Sequence, residues 1–570
     1  MVAKYRVSPR GGWRAHARIS VALAQIEERR RPAVVEIEPG RYDEALRVRG
    51  EVRLVALGEP GSVRVGTLDA DGDVRVEGLA FVGRETDVVA CRAGRLTLGR
   101  VEIRAHSGVA VHAWPGTVVN VQDSTVLHGR MLYDGAYGIV ERCRFGEAAD
   151  NAVAAIRGAE LALRDSRIEG SRIHGVRVSG ARASVQGCVV TGTGGAAVVA
   201  DTQGELTLAD CRIDAVQAEG VMFIEQSRGT VDRVRVTDAR HGIAVMTGAR
   251  PVVRGSEFVD CRDTGINVQS AGRGMFDGCE VRGAGNVAVF AHEGGAPELS
   301  DCRVVGGNVG IAVIGAARGR FTRTGIEDLT GVALRVHDEG GAVFDHVRVE
   351  RCQSGLETRG NAGTTAEVTG AEFRDIDNAA VEVAGQSRVT VRGATVERAQ
   401  LGYCVGEDGQ LFAYDCSARA ITHAGAVALG KGRLVARDLT VHGSGAFGLY
   451  GTDNSQLDVS KAVFADCDKA GACYDGTSRG RLTDCAVTGT RGIGVQHNGL
   501  VSLVSLDTSL PVVHKDIPPT PSPTTVHHHY EGPYFAEGAH GIQLAWNNGH
   551  VTQHQTNQNQ NQTNQDGSST

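Results

Sequence analysis

Apolar and polar positions alternate in short bursts along most of the chain, and the bursts repeat. The unit is a small residue, a polar residue, a large apolar residue, about five turn residues and a Gly-apolar-x-apolar stretch. It recurs nineteen times at steps of 22 to 24 residues, with one step of 19 between Ser124 and Cys143. Clear copies run from Asp210-Cys211-Arg212-Ile213 to Gly220-Val221, from Asp301-Cys302-Arg303-Val304 to Gly310-Ile311-Ala312-Val313, and from Asp484-Cys485-Ala486-Val487 to Gly492-Ile493. An apolar residue stands two places after the small one in every copy, which is the period-2 alternation of a half-buried β-strand. Self-similarity at roughly 20 to 50 residues marks units that bury a core only by stacking on their neighbours. No copy contains a helical period of useful length, so each turn of the solenoid is predicted to consist of short strands and bends.

On these features the chain resembles the right-handed parallel β-helix of the pectin-lyase superfamily over roughly residues 33 to 507. The expected fold is all-β, a single right-handed parallel β-helix of about 19 to 20 rungs. Residues 1–32 are expected to supply an N-terminal strand and an amphipathic helix that closes the open end through Ile19, Ala22, Leu23 and Ile26. Residues 33–510 form the β-helix, 511–525 a Pro-rich linker, and 526–570 a disordered tail rich in Asn and Gln.

Composition fits a narrow solenoid. There are 77 glycines for the bends and only 5% aromatic residues. Seven of the 13 cysteines occupy the small position, at 143, 188, 211, 279, 302, 416 and 485, and are expected to act as small buried hydrophobes rather than zinc ligands. The first residues hold no apolar run of signal-peptide length and no stretch is long enough for a transmembrane helix, so a cytoplasmic, membrane-free setting is expected. A net charge of −7 argues against general nucleic-acid binding, and the preference for Arg over Lys suggests a GC-rich bacterial source.

The site motifs of the superfamily's polygalacturonases, alginate epimerases and pectin methylesterases are absent, and His174-Gly175 and His241-Gly242 read as ordinary bends. Asp123, Asp165, Asp210 and Asp301 precede the small position, but Arg142, Arg233 and Arg323 share it, so a mixed solvated ridge is expected there rather than a calcium site. No catalytic residue, metal or cofactor is assigned. Arg144, Arg167, Arg212 and Arg235 fall on equivalent outward positions and form the candidate ligand stripe, suited to an elongated anionic ligand or a carbohydrate. A second outward strip is read as Ala244, Asn267, Ala288, Ala312 and Ala333.

In the tail, Ile542, Gln543, Leu544 and Asn548 resemble the RIP homotypic interaction motif, with Ala545 where that motif has Gly. Asn547-Asn548-Gly549 followed by Val551 resembles bacterial amyloid signalling sequences. The resemblance implies self-assembly, or capture of a protein partner, through residues 541–551. The expected function is a non-enzymatic binding or scaffold solenoid in signalling or defence. The competing reading is a polysaccharide lyase, hydrolase or epimerase.

Overall fold

The computed structural model describes residues 2–12, 15–84, 87–106 and 108–515, and beyond them Trp546, Asn547, His550 and Val551. Met1–Asp516 form one compact unit. It is a right-handed parallel β-solenoid of about 21 turns, close to 100 Å long at about 4.8 Å per turn. Each strand pairs in parallel with its equivalents one turn before and after. Arg212–Asp214, for example, lies between Val189–Thr191 and Arg235–Thr237.

A typical turn has three strands, as in Arg212–Asp214, Glu219–Phe223 and Arg228–Asp232. Stacked along the axis they make a short sheet, a groove sheet and a broad sheet. The bend from broad to short sheet explains the small residue. The residue before it takes a left-handed conformation, with φ of 54° at Asp210, 51° at Arg233 and 53° at Asp301. The small side chain then closes the bend: Ser124 Oγ donates to the Gln122 carbonyl at 2.6 Å and accepts the Val101 N–H at 3.1 Å. Cysteine repeats the first contact more weakly, Cys211 Sγ lying 3.1 Å from the Ala209 carbonyl. Position and polarity thus select Ser, Thr or Cys in many turns.

All nineteen small residues point inward, and the apolar residues two places later are at most 2% exposed. The 13 cysteines are buried and unbridged. Space is tight where the groove strand begins: a Cβ on Gly242 would lie 2.5 Å from the Gly265 carbonyl oxygen and 2.6 Å from the Phe258 ring.

Strand Ala3–Val7 pairs with Ala33–Ile37 and so joins the solenoid. The α-helix Ile19–Arg29 buries Ile19, Ala22, Leu23 and Ile26. Its N-terminus is closed from a distance, the Glu44 carboxylate accepting the Ile19 and Ser20 N–H groups at 2.9 and 3.0 Å. At the other end Val512–His514 still pairs with Ile493–His497, so pairing continues past residue 510. No helix among the described residues is long and apolar enough to cross a membrane.

In the second unit, Ile517–Thr570, Trp546–Asn547 pairs antiparallel with His550–Val551. The tail positions Ile542, Gln543, Leu544 and Asn548 lie outside the described residues.

Candidate groove site

Between residues 280 and 405 the bend joining short and groove sheets straightens, and the two strands fuse into one. The fused strands include Gly325–His337, Arg348–Gly360 and Glu372–Gly385. Register shifts between Cys352 and Leu356 and between Ile376 and Ala379 mark where these strands turn the corner. Side chains beyond the corner are therefore aimed by continuous strand rather than by loop.

The x of the Gly-apolar-x-apolar stretch faces outward from the groove sheet, yet it is buried in many turns. Val199 and Ala244 are 1% exposed and Ala312 is 3% exposed. The row is shielded by its surroundings, and with the flanking side chains it outlines a lateral groove. Val287 and Val309 pack beside Ala312 and Phe290 on one flank. His292, His337 and Arg359, two places after the floor residue, form the other. Ala244, Asn267 and Ala312 of the strip read from sequence belong to this floor. Ala288 and Ala333 do not: they occupy the bend that is Gly265 and Gly310 on adjacent turns, and they are buried there.

The floor is mostly apolar or small until three ionisable residues follow one another. Arg335 lies opposite Glu357, Glu357 opposite Glu382, and Glu382 opposite Cys404. Arg335 Nη2 is 3.5 Å from Glu357 Oε2, and His337 Nε2 is 3.0 Å from Glu357 Oε1, off the direction of a hydrogen bond. Arg359 Nη2 contacts Glu407 Oε1 at 2.9 Å, and the other Glu407 oxygen accepts the Gly385 N–H at 2.8 Å. Glu382 has no side-chain hydrogen-bond donor among the described residues, although the groove leaves it partly accessible.

Two buried carboxyl groups on strands about 4.8 Å apart cannot both stay ionised at low cost. Burial pushes the Glu382 carboxyl up to about 8, and the charges of Glu357 and Glu407 add to this against the opposing pull of Arg359. Burial also opposes ionisation of Glu357, but His337, Arg335 and Arg359 outweigh it and hold Glu357 below the ordinary range. The pair thus consists of a protonated carboxylic acid beside a carboxylate at neutral pH, the combination used for general acid and base work.

None of these residues was singled out from sequence. Their spacing of 22 to 25 places exceeds any local motif, and the readable signal was a run of charge at the x position where other turns carry Ala or Val. The stripe that was singled out is on the short sheet: Arg144, Arg167, Arg212 and Arg235 stack through Val189 as expected. Arg144 and Arg167 reach Glu169 at 2.9 and 2.7 Å, and Arg235 pairs with Glu257. Arg212 has no ion pair among the described residues. The aspartate ridge is likewise matched, with Arg142 to Asp123 at 2.8 Å, Arg233 to Asp210 at 2.7 Å and Arg323 to Asp301 at 2.6 Å. Among the described residues no three His, Cys, Asp or Glu side chains gather as metal ligands.

Fold and groove define a parallel β-solenoid with an ionisable lateral cleft. Residues 195–323, 253–396 and 354–505 match the family described as right handed beta helix region, and the chain belongs to it. No curated protein matches the chain. Among solved structures it is similar to the PL6 family alginate lyase AlyGC at 9% identity and a TM-score of 0.32, over 90% of this chain and 100% of that one. It is also similar to the AlgE6 mannuronan C-5 epimerase A-module of Azotobacter vinelandii, at 14% identity and 0.24 over 66% and 94%. A third likeness is to the GH87 alpha-1,3-glucanase catalytic unit of Streptomyces thermodiastaticus, at 11% identity and 0.18 over 89% and 68%. These likenesses are of architecture and carry no site residue across.

Proposed function

We propose that the chain is a carbohydrate-active protein that holds an extended polysaccharide in the groove and cleaves a glycosidic bond over Glu357 and Glu382. The observation that carries this is the pair of unlike carboxyl groups on adjacent strands of the groove floor, Glu357 held ionised and Glu382 pushed up by burial, beside Arg335, His337 and Arg359. Glu382, neutral at pH 7, donates its proton to the leaving glycosidic oxygen. Glu357, held ionised, attacks the sugar carbon as the glycosidic bond breaks, and water then releases the sugar from Glu357 while the Glu382 carboxylate takes the water's proton. Placement on adjacent strands, about 4.8 Å apart, is closer to the separation of a retaining pair than to the wider one that an inverting enzyme needs for its water. Arg335 and His337 keep Glu357 charged, while Arg359 is turned toward Glu407. This replaces the non-enzymatic scaffold expected from sequence, an expectation that rested on missing local motifs.

The test is release of reducing ends from alginate and from soluble α-1,3-glucan by the full chain and by Glu357→Gln and Glu382→Gln. Cleavage by the native chain that falls by about a hundredfold or more in each variant, with the fold retained, supports the reading. Products carrying an unsaturated end in place of ordinary reducing sugars replace hydrolysis by elimination. Binding without cleavage of either polymer returns the chain to the class of binding solenoids.

A further inference from the structure

The same groove holds a second built feature near its N-terminal end. His112 is a floor residue, and eleven pairings along the floor, from His112 opposite Leu132 to Arg335 opposite Glu357, separate it from the carboxyl pair. At about 4.8 Å each, this is about 50 Å. Trp114 lies immediately past the end of that strand, Val109–Ala113, and is 36% exposed, in a chain with only three tryptophans. Its ring lies 5.0 Å from the His112 ring, and the Arg92 guanidinium sits 4.7 Å from its centroid while bonding Asp69 at 2.8 Å. Asp87 binds His112 Nδ1 at 3.0 Å, and the buried Nε2 has no partner among the described residues. Arg130 Nε, across the paired strand, is also buried without one. Val109 packs with the floor residues Leu132 and Ala154 in a small buried apolar cluster nearby.

Buried polar atoms without partners call for an explanation, and so does a partly exposed tryptophan ring beside His112 and Arg92. One ligand type answers both, because a pyranose ring offers a flat C–H face bordered by hydroxyls. We infer that Trp114, His112 and Asp87 form a distal saccharide-holding subsite, which grips the polysaccharide about 50 Å from the bond being cleaved. The inference rests on the glycan reading of the groove and adds to it a preference for long chains. Asp87 is engaged by His112, so the subsite holds and does not cut.

The test uses full-length Glu382→Gln protein, titrated with alginate and with soluble α-1,3-glucan, each as polymer and as tetramer, and followed by tryptophan fluorescence. Adding Trp114→Ala is expected to weaken polymer binding by about tenfold, the order of one lost aromatic contact. It should leave tetramer binding at the carboxyl pair unchanged and remove the fluorescence response, and Trp114→Phe should restore part of the polymer affinity. Unchanged polymer affinity in Trp114→Ala overturns the subsite, as does an equal loss for polymer and tetramer or a failure of both polymers to bind. Trp114-dependent polymer binding by a native chain that cleaves nothing keeps the subsite and rejects the acid–base reading alone.

Discussion

Two ladders of charge run along this solenoid, and they differ in how the charges are matched. On the aspartate ridge a guanidinium from the next turn answers each of Asp123, Asp210 and Asp301, and each carboxylate is held below its ordinary range chiefly by that hydrogen bond. In the groove Glu382 is stacked on another glutamate, has no side-chain donor among the described residues and is pushed the other way, chiefly by burial. Repetition alone produces the first arrangement, because a rung pattern that places Asp before Arg neutralises itself. The second is out of step with the repeat and is unfavourable in isolation, as groups placed for chemistry often are. Breaks in the ladder are therefore better guides to function here than the charges that continue it.

The largest effect that separates the two regions is on turnover. Glu382→Gln and Glu357→Gln should each lower glycan cleavage by about 10² to 10⁴, whereas Asp210→Asn on the ridge should leave the rate unchanged. The pH profile follows from the same pair. Glu382 must carry its proton, so activity should fall as pH rises through about 8. Glu357 remains ionised well into the acid range, so the acid limb should lie below the usual carboxylate value. A rate that rises between pH 7 and 9 would contradict these roles.

Arg335→Ala comes next. It removes the guanidinium 3.5 Å from Glu357 on a half-buried floor and leaves that carboxylate less compensated. Breaking such a pair from one side should destabilise the fold by about 1 to 3 kcal/mol, discounted for the groove's access to solvent. Urea denaturation measures the loss, and the apparent acid limit of activity should move up with it. An unchanged acid limit would mean that Arg335 does not hold the charge of Glu357.

The rungs were legible in sequence because stacking demands the same kind of residue at the same place in every turn. Cys211, Cys279 and Cys302 could thus be assigned inward from spacing alone, and Ile19, Ala22, Leu23 and Ile26 could be read as one helix face. The site was not legible, because Arg335, Glu357 and Glu382 meet only through pairing between turns whose lengths differ by up to three residues. Bends also hide side-chain direction, which is why the outward strip read from sequence includes Ala288 and Ala333, which lie in the bend. Register, unlike period, is set by where each bend absorbs its extra residue.

A smaller effect, opposite in sign, tests whether the groove pair is strained. The Glu382 carboxyl holds its proton more tightly folded than unfolded, its value rising from 4.5 to about 8. The folded state therefore binds more protons across that window, and stability falls as pH rises through it. Glu382→Gln should accordingly stabilise the chain by about 2 kcal/mol at pH 9, roughly half the full linkage value because the group touches solvent, and by almost nothing at pH 4. Thermal unfolding at the two pH values measures this difference. Stabilisation that is equal at both would trace the gain to packing rather than to the proton.

The smallest effect is expected where sequence reading had placed the ligand. Replacing Arg144, Arg167, Arg212 and Arg235 together by Gln removes a stripe whose members mostly already face Glu169 or Glu257 across solvent. Exposed pairs of this kind contribute little and are screened at ordinary salt. Polymer affinity and cleavage in the groove should stay at the native level, since the stripe lies on the short sheet. Only a modest change in unfolding midpoint at low salt is expected, and it should vanish as salt is raised. A loss of polymer binding of about tenfold, some 1.4 kcal/mol, would overturn the comparison: the regular ladder would then be the binding face, and the carboxyl pair in the groove would be a local irregularity of the fold.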